Sequence, residues 1–122
     1  MIKPRKLFSS FGYALDGLYL AVKLDQNVRF HLITSVLVLV VSFILKISTV
    51  EFLFIIMAIF FVLISEMVNT AIEEMTNLII REHHFSARIA KDVAAGAVLL
   101  SAVFAVIVAS IILLPKLYFY FF

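Results

Sequence analysis

Residues Val93 to Leu114 form a run of 22 without a single charge. At 1.5 Å per residue, a helix of that length crosses about 30 Å of hydrocarbon. Pro115 and Lys116 are expected to close it. One such run already places the chain in a membrane. The rest of the composition agrees, with 65% hydrophobic and 15% charged residues in a chain of 122. So short a chain has too little interior to hide that much apolar surface from water. A soluble enzyme and a disordered tail are thereby excluded. The net charge of +2 is too slight to argue for a nucleic-acid partner, and none is expected. With no Cys, there is no disulfide framework, thiolate zinc site or cysteine nucleophile.

Two further spans precede this one. Phe30 to Leu45 becomes long enough if it begins near Val28, giving a first span over about 28–46. Phe52 to Ser65 is apolar but short. The helical pattern continues through Glu66, Asn69, Thr70 and Glu73 to about Ile80, with no Gly or Pro to end it. The second span therefore reads as a long helix over about 51–80, apolar in one half and carrying carboxylates in the other. The third span covers about 87–114, with Ser86 a plausible N-cap. The first residues differ. Met1 to Lys6 are not followed by the apolar core of a signal peptide. Phe8, Phe11, Leu15, Leu18 and Val22 share one helical face, with Lys3, Arg5, Lys6, Asp16 and Lys23 flanking or opposing it. This predicts an amphipathic surface helix over about 5–25, lying in the membrane interface. The chain thus reads as one all-α integral membrane domain, 1–122.

Orientation follows from the cations. Eight of the ten Lys and Arg lie in the N-terminal segment or in the loop between the second and third spans; Lys46 and Lys116 lie opposite. The N-terminus is expected in the cytoplasm and the aromatic C-terminal tail at the outer interface.

The polar groups on the second helix demand an explanation. At about 100° per residue, Glu66, Asn69, Thr70, Glu73, Glu74 and Asn77 fall on one stripe, with Val68, Ile72 and Met75 facing away. Ionisable groups at membrane depth are costly and face a protein interior or a wet site. A solvated helix end explains Glu74, at the stripe's edge, more readily than Glu66, the deepest. Helix–helix adhesion through Asn69 and Thr70 leaves the carboxylates unexplained. Carboxylates one to two turns apart can hold a divalent cation or accept a proton from a hydroxyl nucleophile. Asp25, before the first span, and Lys91-Asp92, opening the third, lie at the same boundary. His31 reads as a packing residue, and His83 and His84 as a solvated loop. Glu51 and Glu82 sit at helix ends and can be solvated. No glycine-rich phosphate loop is present, since the only glycines are Gly12, Gly17 and Gly96. Gly96, with Ala94, Ala95 and Ala97, forms a small-residue face for close helix packing. An ion-conducting oligomer is disfavoured by the apolar stretch Phe52–Ile64, which offers no polar path outward. A non-enzymatic assembly subunit is the third reading.

Glu66-x-x-Asn69-Thr70-Ala71-Ile72-Glu73, followed by Ala90-Lys91-Asp92-x-Ala94-Ala95-Gly96-Ala97-Val98, resembles the bacterial diacylglycerol kinase and undecaprenol kinase family. Tyr13-Ala14-x-x-Gly17 and Asn27-x-Arg29-x-His31 add to the likeness, which covers roughly residues 6 to 114. The resemblance implies a homotrimer of three-span subunits in the bacterial inner membrane. Its activity would be transfer of the γ-phosphate of Mg-ATP to the hydroxyl of a lipid alcohol at the cytoplasmic interface. It implies Glu66 as catalytic base and Asp25 and Glu73 as Mg²⁺ ligands. Lys91, Asp92, Tyr13, Asn69 and Glu73 would contact the nucleotide. Asp25 stands where the family usually carries Glu, one methylene longer. The motifs around residues 27–31 and 94–97 are more similar to the undecaprenol branch, with diacylglycerol the alternative substrate.

Overall fold

The computed structural model describes residues 3–79 and 85–122. They form four helices: α1 (Pro4–Leu24), α2 (Gln26–Ile44), α3 (Thr49–Ile79) and α4 (Phe85–Phe121). Helices α2, α3 and α4 are each long and apolar enough to cross a membrane. The readings of His83, His84 and Glu82 fall outside the described residues.

Each junction is closed by local chemistry. Pro4 opens α1, where the missing N–H costs nothing and the fixed φ is already helical. Asp25 is extended between α1 and α2 and accepts Asn27 N–H at 2.8 Å, capping α2. Arg29 reaches back and donates through Nη1 to the carbonyls of Val22 and Lys23, both at 2.8 Å. Two orphan carbonyls at the end of α1 are thereby satisfied by a cation that also suits the negative end of the helix dipole. Helix α2 ends with Lys46 at φ 54°, in the left-handed region. Lys46 N–H bonds to Phe43 O at 3.2 Å and Ile47 N–H to Ser42 O at 3.4 Å, the two bonds of a Schellman ending.

Helix α3 begins with a reciprocal cap. Glu51 N–H donates to Ser48 Oγ at 3.2 Å, while Ser48 N–H donates to Glu51 Oε1 at 2.9 Å. Glu51 also meets Lys116 Nζ at 3.4 Å. It is therefore engaged rather than freely solvated, because the Ser-x-x-Glu spacing returns its carboxylate onto the helix's own first turn. Replacing Ser48 with Ala is expected to lower stability by about 1 kcal/mol, read as the unfolding midpoint in detergent.

The main packing is between α3 and α4, around Ile55, Ala58, Val108, Ile112 and Leu113. Helix α2 packs on α3 more lightly, and α1 meets the rest at its C-terminal end, where Ala21 is buried. Two expectations are corrected. The helix of the third span, α4, does not close at Pro115 but runs to Phe121. Proline's φ is helical, and the lost N–H removes a single bond. Beyond it, Lys116 is tied to Glu51, and Tyr118 and Phe122 stack at 5.5 Å between ring centroids. Nor does Gly96 itself make a close approach within the chain. Of the small-residue face Ala94 is buried, but a Cβ added at Gly96 would meet nothing within 4 Å among the described residues.

Candidate active site

The long polar half of α3 lies against the α1–α2 junction. Glu66 and Asn69 are buried, at 2% and 6% exposure. Val68 and Met75 point outward at 52% and 61%. The stripe thus turns its deepest members inward, while Glu73, Glu74 and Asn77 remain exposed in the single chain. This is the outcome that the cost of a lipid-facing carboxylate demands.

Thr70 joins the two segments. Its hydroxyl donates to Asp25 Oδ2, across 45 positions of sequence, and also contacts Glu66 O at 3.0 Å. Asp25 accepts Asn27 N–H through its other oxygen. Partial burial pushes the Asp25 carboxyl up. The bonds from Thr70 and Asn27, with Glu66 and Val28 N–H beside them, more than offset this, so it lies below its ordinary value. It is therefore ionised at neutral pH.

Glu66 is the most enclosed of the acids. Its neighbours are Asp25, Asn27 and Glu73. Its Oε2 faces His31 Nε2 at 3.8 Å, and its Oε1 is buried with no hydrogen-bond partner among the described residues. Asn69 donates through Nδ2 to Glu73 Oε1 at 3.3 Å, and its Oδ1 is likewise buried and unpartnered. Two unpaired buried acceptors, on residues one turn apart on α3, are expensive unless something fills them. Such acceptors suit a hydroxyl, an N–H or a cation.

Lys91 Nζ donates to Asn77 Oδ1 at 2.8 Å, which brings the start of α4 to the outer part of the stripe. Asp92 is exposed and pairs with Arg88 at 3.9 Å on its own helix. Tyr13 is exposed on α1. Of the residues named from sequence, the fold therefore gathers Asp25, Glu66, Asn69 and Glu73, and ties Lys91 to the same helix. Asp92 and Tyr13 stay on the surface of the single chain.

Three residues named from sequence take roles that only the structure assigns. His31 touches Glu66 as well as packing, Thr70 is the clasp to Asp25, and Arg29 closes α1. The Asn27-x-Arg29-x-His31 pattern was the available signal, but spacing along α2 says nothing about which residue of α3 it meets.

Residues 12–113 match the prokaryotic diacylglycerol kinase family. The chain belongs to that family. It is 38% identical to the undecaprenol kinase of Bacillus subtilis (strain 168) over 112 residues, covering 92% of this chain and 91% of that one. It is 39% identical to the diacylglycerol kinase of Synechocystis sp. (strain PCC 6803), again over 112 residues. That match covers 91% of this chain and 64% of the relative, so the chain spans less than two thirds of it. As a member of this family of lipid kinases, the protein is an enzyme that phosphorylates an alcohol group. The buried Glu66, with the partly buried Asp25 beside it and the exposed Glu73 further along α3, forms a candidate site for such chemistry.

Proposed function

We propose that the protein transfers the γ-phosphate of ATP to the hydroxyl of a membrane lipid alcohol, undecaprenol being the substrate. The observation that carries this reading is Glu66: a carboxylate buried to 2% exposure, at membrane depth, with one oxygen unpartnered. In the reaction the lipid oxygen forms a bond to the γ-phosphorus. The bond from that phosphorus to the bridging oxygen of ATP breaks, and ADP leaves. The hydroxyl proton passes to Glu66 Oε1. Catalysis of this kind is mostly positioning and charge neutralisation. Lys91 neutralises phosphate charge as a point cation. Asn69 holds Glu73 through one oxygen, and Thr70 holds Asp25.

Among the described residues, no three His, Cys, Asp or Glu side chains converge tightly enough to hold a metal alone. Mg²⁺ needs only one or two carboxylates, its remaining ligands being phosphate oxygens and water. Asp25 and Glu73 would hold it; each has a lone pair beyond its present hydrogen bonds. When bound, it would supply further neutralisation of the phosphates.

The cation placement supports a cytoplasmic site, with α1 lying along the same interface of the inner membrane, its Phe8, Phe11, Leu15 and Leu18 exposed to lipid. A homotrimer accounts for what one chain leaves open. Glu73, Glu74 and Asn77 are uncovered, and Tyr13 and Asp92 are free to face a neighbour's site.

Diacylglycerol is the second reading. The motifs around residues 27–31 and 94–97, more similar to the undecaprenol branch, favour the first. The deciding assay offers the purified protein undecaprenol and diacylglycerol side by side in mixed micelles with Mg-ATP. The expected result is faster phosphorylation of undecaprenol. Preference for diacylglycerol would reverse the assignment, and failure to phosphorylate either would remove it.

A further inference from the structure

The Glu66 carboxylate lies beside Asp25, Asn27 and Glu73, and its one paired basic neighbour among the described residues is His31. Oε2 faces His31 Nε2 at 3.8 Å, while Oε1 has no partner. His31 is itself half-buried, and Phe30 packs edge-on to its ring, with centroids 5.7 Å apart. The imidazole stands between two environments. On one side are the carboxylates; on the other is an apolar cavity of about 230 Å³ between α2, α3 and α4, lined with Thr34, Val38, Val62 and Ala105. No other basic side chain is paired with Glu66 among the described residues.

We infer that His31 is a positioning residue for Glu66, an inference that rests on the kinase reading above. The terminal torsion of a Glu side chain is broad and nearly two-fold, so an unrestrained carboxylate swings both oxygens through the site. A base accepts a proton only when its lone pair lies about 2.6–3.2 Å from the donor. A donor at Nε2 aimed at Oε2 fixes that torsion and leaves Oε1 aimed at the incoming hydroxyl. The separation of 3.8 Å is long for a hydrogen bond, and contacts of this type tighten when substrate is in place. His31 needs no contact with ATP or with the reacting atoms to do this, so its effect falls on turnover rather than on nucleotide binding.

The test uses the full-length chain in mixed micelles with a lipid alcohol and Mg-ATP. H31F keeps a ring of similar size and removes the donor. H31Q returns an amide N–H close to the position of Nε2. H31F is expected to lower kcat by about 10- to 100-fold, part of what a positioned base contributes, with KM for ATP unchanged. H31Q is expected to recover most of the loss. E66Q is measured alongside. If E66Q is inactive but H31F turns over like the native protein, the inference about His31 fails and the base assignment stands. If E66Q itself keeps full turnover, the base assignment fails and takes the His31 role with it. If H31Q is no better than H31F, and both lower the unfolding midpoint equally, His31 is only a packing residue and the inference is overturned. If H31F does not fold, H31A against H31Q makes the same comparison.

Discussion

Glu66→Gln is expected to lower turnover by about 10²- to 10⁴-fold, the range a positioned general base supplies. The substitution is nearly isosteric, so the packing of α3 against the α1–α2 junction is retained. What changes is the atom at the Oε1 position, buried and unpartnered in the native chain. An amide there cannot take the hydroxyl proton. Stability should not fall with activity. The substitution removes a buried negative charge beside Asp25 and leaves the Asp25–Thr70 clasp intact. The check is a lipid phosphorylation assay paired with a thermal melt in the same detergent. Native turnover in a folded Glu66→Gln protein would remove Glu66 as the base.

The second large effect concerns the metal. Asp25→Asn is expected to raise the Mg²⁺ concentration for half-maximal activity by about ten-fold or more, since a carboxylate ligand becomes a neutral amide. Asn is also a good N-cap, so α2 should still start in the same place. Asp25→Ala removes the cap, the Thr70 acceptor and the charge together, and should lose both stability and activity. The contrast between Asn and Ala separates the ligand role from the structural one. Glu73→Ala should behave as Asp25→Asn does in the Mg²⁺ titration, with little effect on the melt, because Glu73 is exposed. A Mg²⁺ dependence unchanged in both Asp25→Asn and Glu73→Ala would overturn the ligand assignment.

Much of the architecture was legible because a membrane imposes simple rules. Uncharged runs of sufficient length mark spans, and the helical period then determines which polar residues share a face. Burial of Glu66 and Asn69, with Val68 and Met75 facing out, is what that period requires. The Ser48-x-x-Glu51 cap was also readable as a motif, yet Glu51 reads as a solvated end when only its charge is considered. The ending of α4 is hidden from sequence for a comparable reason. Pro115 is a local stop signal, and the ion pair from Lys116 to Glu51 lies 65 positions away in sequence.

The sequence by itself determined that this is an all-helical chain with three long apolar helices, a family of lipid kinases to which it belongs, and an acidic stripe on one helix. Periodicity and hydropathy are properties of single segments, so they need no partner to be read. Only the tertiary structure decided that Thr70 clasps Asp25, that His31 faces Glu66 and that Lys91 reaches Asn77. Each of these contacts joins α3 to another part of the chain, and helix rotation and register are set by packing between elements, which no one-dimensional pattern contains.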